Sequence, residues 1–325
     1  MIPNVMQLLI EKMAADGRVS DSEALEMRRA IFPDGAVSRA EASILFQLND
    51  GVASDDPAWN ACFVEAICDH LLASGEPRGH VSEDGAAWLE GRIRHDGVLE
   101  GLTEVELVIK LLETAESCPP RLHELARACV SFAILEGKGY EGRDPLLAPG
   151  QIGASELAMI RRVLFAAAGA GNIAITRPEA EWLFEIDAAT EGRIHVSGWR
   201  DLFVSAVMNH LFAAGPSSLL DRDGMMHRAA WLKTGTGGLG AFFTRIVEGG
   251  AKGYAERVDQ PDALTGQDMH VRRREVEAQV AEALDTTEAA WLVTRIRADG
   301  RRTANEQALV DAVKAAKGDD ALKSA

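Results

Sequence analysis

The sequence predicts an all-α protein made of two tandem copies of a multi-helix unit plus a C-terminal partial copy. Three observations carry this. First, the stretch Trp59 to Ala73 recurs as Trp199 to Ala213, with seven of fifteen positions identical. Just upstream, Val37 to Phe46 matches Ile175 to Phe184. Repetition at this length marks copied supersecondary units. Second, no segment alternates apolar and polar residues between turn signals, as half-buried strands do. Third, aromatic content is only 6% and alanines recur at helical spacing, which suits packed helices.

The elements follow in order. Val5 to Ala15 carries Leu8, Leu9 and Met13 on a near-helical stripe and stops at Asp16-Gly17. Ser20 then precedes Glu23, the pattern of a capping box, and opens a helix that ends at Pro33-Asp34-Gly35. In such a box the hydroxyl accepts from a first-turn amide while the glutamate reaches back to the cap amide. Ser38 and Glu41 repeat the arrangement and start a third helix, which runs to Asn49-Asp50-Gly51. Trp59 to Ala73 is a fourth, with Trp59, Phe63, Ala66, Ile67 and His70 on one face. Ala86 to His95 and Thr103 to Glu116 follow, the second broken by Pro119-Pro120, and then Arg121 to Glu136.

Glycines and prolines between Gly137 and Gly150 mark the best boundary. The expected division is therefore residues 1–140, a duplicate over 150–250, a partial copy over 270–317 and a disordered tail over 318–325. The duplicate begins near Ser155 and reaches an Ala229-Ala230-Trp231-Leu232 helix comparable to Ala86-Ala87-Trp88-Leu89. Gly235 to Gly240 reads as a flexible insertion, Gly249 to Asp268 as loop, and Val271 to Leu284 as a polar helix. In the tail, Ala289 to Gly300 matches Ala86 to Gly97 at nine of twelve positions.

Composition bounds the function classes. Fifty acidic against 34 basic residues give a net charge of -16. That balance argues against a nucleic-acid or anionic-membrane binder, both of which need positive faces. No window holds enough uninterrupted apolar residues for a membrane span. Met1 to Ile10 lacks the basic region and apolar run of a signal peptide. Cys62, Cys68, Cys118 and Cys129 form no C-x-x-C pair and sit in apolar helical patterns, so buried reduced thiols in a cytoplasmic setting are expected.

The phrase D-G-x-[V/R]-[S/T]-x-x-E occurs at Asp16 to Glu23, Asp34 to Glu41 and Asp299 to Glu306. Its residue types match the second half of an EF-hand loop. The first half does not follow, since the upstream ligand positions fall on Lys12 and Ala14, Ala30 and Phe32, and Arg295 and Arg297. Asp-Gly turning the chain and Ser/Thr-x-x-Glu capping the next helix account for the phrase without a metal. Junctions of this form in an acidic helical chain resemble the tellurite-resistance TerB-like family. That resemblance implies an all-α fold, a stress-related setting and divalent-cation binding through acidic residues. The positions concerned are Asp16, Glu23, Asp34 and Glu41, with Asp299 and Glu306 in the third occurrence.

His70 and His210 occupy equivalent places, each eleven residues after a tryptophan and so on the same helix face as Trp59 or Trp199. They serve either as a facing pair that binds metal or acts as base, or as core-edge histidines bonded to a loop carbonyl. The six tryptophans read as core. Gly235 to Gly240 lacks the Lys-Ser/Thr of a phosphate loop, and no G-x-S-x-G or H-E-x-x-H is present. The leading expectation is a non-enzymatic interaction or scaffold protein with a protein partner, no nucleic acid, no membrane insertion and no cofactor. Self-association is left open. The alternatives are a TerB-like cation-binding protein and an enzyme built on His70 or His210.

Overall fold

The computed structural model describes residues 19–31, 37–51, 57–94, 102–137, 144–167, 175–213, 286–297 and 300–317. Among these the chain is helical and has no strand, only one isolated bridge. The segments Val5 to Ala15, Ala229 to Leu232, Gly235 to Gly240, Gly249 to Asp268, Val271 to Leu284 and the tail from 318 lie outside the described residues. The chain divides into two compact units, Met1–Ala170 and Gly171–Ala325.

The first unit contains α1 (Asp21–Ile31), α2 (Arg39–Gly51), α3 (Pro57–Ala73), α4 (Glu83–Ile93), α5 (Leu102–Thr114), α6 (Pro120–Glu136) and α7 (Ala154–Ala167). Helix α3 is central, and α1, α2 and α5 all pack on it. Its buried residues Trp59, Cys62, Phe63, Val64, Ala66, Ile67, Cys68, His70 and Leu71 take up most of its circumference. A helix apolar nearly all round must be enclosed by its neighbours. Beyond it, α5, α6 and α7 pack against one another, and α4 packs on α6.

Helix α7 was expected to open the duplicate. Instead its buried Leu157, Ile160, Val163 and Leu164 cover α5 and α6, so it closes the first unit. The apolar face of a helix goes wherever a matching face is left bare, and sequence order alone does not say where that is.

The second unit contains α8 (Arg177–Ala189), α9 (Gly198–Ala213), α10 (Thr286–Arg297) and α11 (Ala304–Lys317). Helix α9 is its counterpart of α3, with α8 and α11 packed on it. The C-terminal pair expected as a separate partial copy therefore belongs to the same unit as α8 and α9.

Capping sets the helix starts as the sequence indicates. Ser20 N–H donates to Glu23 Oε2 at 3.0 Å, Ser38 N–H to Glu41 Oε2 at 2.8 Å, Thr176 N–H to Glu179 Oε2 at 2.6 Å and Thr303 N–H to Glu306 Oε2 at 2.9 Å. Each satisfies an amide that the helix cannot reach.

Three cysteines are buried as expected, but Cys118 is not in a helix; it lies in the link between α5 and α6 and is only half-buried. The paired prolines that follow it break the helical run there. Desolvation pushes the Cys62 thiol up to about 11, Cys68 to about 12, Cys118 to about 11 and Cys129 to about 12.

Three outcomes are expected. Phe63→Ala and Phe203→Ala, at fully buried positions, should each cost about 3–5 kcal/mol in denaturant unfolding; a loss below about 1 kcal/mol would contradict the placement of these rings. Thiols whose folded-state values are raised keep their protons longer in the folded chain than in the unfolded one. Stability should therefore decline as pH rises from the ordinary thiol value of 9.0 toward 11–12. Iodoacetamide at pH 8.5 should label the buried thiols only slowly until denaturant is added, and equal rates with and without denaturant would count against their burial.

Candidate functional site

The two histidines singled out by the sequence sit in matching surroundings, one in each unit. His70 is near the C-terminal end of α3, and its Nδ1 lies 2.7 Å from the carbonyl of Val37. His210 occupies the same place on α9, with Nδ1 2.9 Å from the carbonyl of Ile175. A carbonyl only accepts, so Nδ1 carries the hydrogen in both rings. Each carbonyl belongs to the residue just before a capping box, outside the ladder of the helix that follows. Val37 and Ile175 are buried, so without the imidazole these carbonyls would lack a donor.

Around each imidazole the aromatic contacts repeat. His70 meets the Trp88 ring edge-on at 5.4 Å, and His210 meets Trp291 edge-on at 5.0 Å. Arg39 lies over Trp88 at 5.3 Å, and Arg177 over Trp291 at 5.2 Å. Phe46 and Phe63 form a T-shaped pair at 5.0 Å, as do Phe184 and Phe203 at 5.1 Å. Edge-to-face pairs set the positive rim of one ring on the negative face of another, and each is worth about 0.5–1.5 kcal/mol beyond burial.

The partner of His210 is therefore Trp291, from the tail segment that matches Ala86 to Gly97. Trp231, read from the sequence as another counterpart of Trp88, lies outside the described residues. Trp88 and Trp291 are half-buried, because an arginine covers the open face of each.

The two sites differ in charge. In unit two Glu288 reaches the site from α10, three residues before Trp291. Its carboxylate accepts from Arg177 Nη2 at 3.2 Å to both oxygens. His210 Nε2 lies 3.3 Å from Glu288 Oε2, off the line a hydrogen bond needs. Gly85 stands three residues before Trp88, so unit one has no acid at that point.

Unit two also holds a polar knot around Asp187. Trp199 Nε1 donates to Asp187 Oδ1 at 3.2 Å, and Asn305 Nδ2 donates to the same oxygen at 2.6 Å. Thr303 Oγ1 donates to Asp187 Oδ2 at 2.5 Å. Asp187 is thus a buried carboxylate with three donors, tying α8 to α9 and α11. In unit one Trp59 Nε1 donates to Asn49 Oδ1 at 3.2 Å, a neutral version of the first of these bonds.

Glu23, Glu41 and Glu306 sit in the capping boxes already described. Asp16, Asp34 and Asp299 lie outside the described residues. Among the described residues no three His, Cys, Asp or Glu side chains gather as a cation site would require. His70 and His210 belong to different units, and each spends its Nδ1 hydrogen on a backbone carbonyl of its own unit.

Arg177, Glu288 and Asp187 were not anticipated from the sequence. A signal for the first was the match of Arg39 to Arg177 within the repeated upstream segment. Nothing local marks Glu288 or Asp187, because their partners are distant in the chain.

Asp187→Ala would leave three donors unmatched and should cost about 3 kcal/mol or more in urea unfolding. Asp187→Asn, which installs the amide found at Asn49, should cost less than half as much; equal losses would show that the three bonds are not what the carboxylate supplies.

No family model matches this chain, and neither the curated proteins nor the solved structures contain a match to it.

Proposed function

We propose that this protein is a duplicated helical scaffold that holds a protein partner, rather than an enzyme built on His70 and His210. The observation that carries the reading is how the reactive-looking groups are used. Glu23, Glu41 and Glu306 cap helices, and both histidines bond backbone carbonyls. Groups committed to holding backbone are poorly placed to receive a substrate or complete a cation shell. The recurrence of the same contacts in both units supports head-to-tail copying of an ancestral bundle.

A scaffold needs surface to offer. Ile194 is 82% exposed in the link between α8 and α9, with Val196 beside it also in solvent. The net charge of -16 favours a partner with a basic rim around an apolar contact.

The test pairs capture with folding. Protein recovered from the native host with the parent chain should be lost with the Ile194→Asp/Val196→Asp double variant, whose melting temperature should stay within about 2 °C because both side chains are exposed. Recovery of a stoichiometric small molecule or cofactor in place of a protein would overturn the scaffold reading. Calorimetric titration with calcium, magnesium, zinc and manganese should show no heat at millimolar metal; a saturable heat would favour the TerB-like cation-binding alternative instead.

A further inference from the structure

One cluster of reactive groups lies apart from the histidine sites. In unit one the link between α3 and α4 (residues 74–82) runs beside the link between α5 and α6 (residues 115–119). They pair as an isolated parallel bridge at His80 and Ser117. Val81 N–H donates to Ser117 O at 3.0 Å, and Glu116 N–H donates to Gly79 O at 2.8 Å. The first link is tightly built. A Cβ at Gly75 would stand 1.8 Å from the His80 carbonyl oxygen, and Gly79 has a φ of 88°. Only glycine suits either position without strain.

This backbone holds three side chains in a row. His80 Nδ1 lies 2.6 Å from Ser117 Oγ, and His80 Nε2 lies 3.2 Å from Glu116 Oε2. The carboxylate stands within ion-pair distance of Nε2 and favours the neutral tautomer that keeps its hydrogen there. Nδ1 is then the bare nitrogen, and the Ser117 hydroxyl donates to it. Hydroxyl, imidazole and carboxylate thus stand in the order nucleophile, base, orienting acid.

Ser117 and Glu116 are exposed and His80 is half-buried, so the group is open to solvent and to small solutes. The N–H groups of Ser117 and Cys118 are not donors in the cross-link bonds. They lie just before the first turn of α6, the positive end of that helix.

We propose that Ser117, His80 and Glu116 form a hydrolytic site for small activated carboxylic esters. Ser117 Oγ attacks the ester carbonyl carbon while its proton passes to His80 Nδ1. The tetrahedral intermediate collapses, the ester C–O bond breaks, and the leaving alcohol takes the proton from His80. Water then attacks the acyl-serine, its proton passing to His80. Release of the carboxylic acid returns that proton to Ser117 Oγ, so one ester and one water give one acid and one alcohol. Glu116 is a positioning residue whose nearby charge favours that ring tautomer. With Ser117 and Glu116 in solvent, selectivity falls on small acyl groups with good leaving groups.

The test uses the full chain with p-nitrophenyl acetate as substrate and a fluorophosphonate as covalent probe. Hydrolysis should saturate, and mass spectrometry should place the phosphonyl group on Ser117. Ser117→Ala should abolish labelling and lower kcat/KM by ~100-fold or more, as should His80→Ala. Glu116→Gln should lower kcat by about tenfold with KM unchanged, a split that loosening of the loop would not give. Ser117 is exposed, so its variant should keep full helicity. Label on another residue, or parent-level hydrolysis by folded Ser117→Ala, would overturn the proposal. These readouts are independent of partner capture and of the scaffold reading.

Discussion

A backbone carbonyl just ahead of a capped helix has no partner in that helix, and burying it without a donor costs roughly 1–3 kcal/mol. Both units meet this constraint in the same way. The imidazole near the end of α3 donates to Val37, and the one near the end of α9 donates to Ile175. Because this bond joins the end of one helix to the start of another, it fixes the offset between them. The capping glutamates, the edge-on tryptophans and the covering arginines are all arranged around that offset.

The aromatic box follows from it. An imidazole whose Nδ1 hydrogen is committed keeps one orientation, and its edge then presents to a tryptophan from a third helix. The indole in turn gives an arginine a flat face on which to lie. The chain can therefore complete the box with any helix that carries a tryptophan at the right height. In unit one that helix is α4. In unit two it is α10, which is much further along the sequence, and the contact is the same.

The units diverge where polarity was free to change. Asn49 suffices to take one indole hydrogen, whereas Asp187 takes three donors and draws α11 into the knot. Gly85 stands in one unit where Glu288, beside the other imidazole, stands in the second. A buried carboxylate is tolerable only when such donors surround it. The presence of Thr303 just ahead of α11 and Asn305 in its first turn is thus the condition for the aspartate.

The sequence by itself determined the helical class, the helix starts capped by Ser20, Ser38 and Thr303, and the likeness of the Trp59 and Trp199 segments. These are local matters: a Ser/Thr-x-x-Glu box closes within one turn, and helical periodicity is read over a few residues. It also placed His70 and His210 on the faces of Trp59 and Trp199, because eleven residues span three turns. The tertiary structure decided which helix completes each unit. Helix α7 went to the first unit and α10 to the second, since apolar faces pair by shape and distance in space. It decided too that Trp291 stands against His210, and that His80, Glu116 and Ser117 meet. Those side chains come from loops 37 residues apart, and no local pattern encodes a contact closed by chain folding.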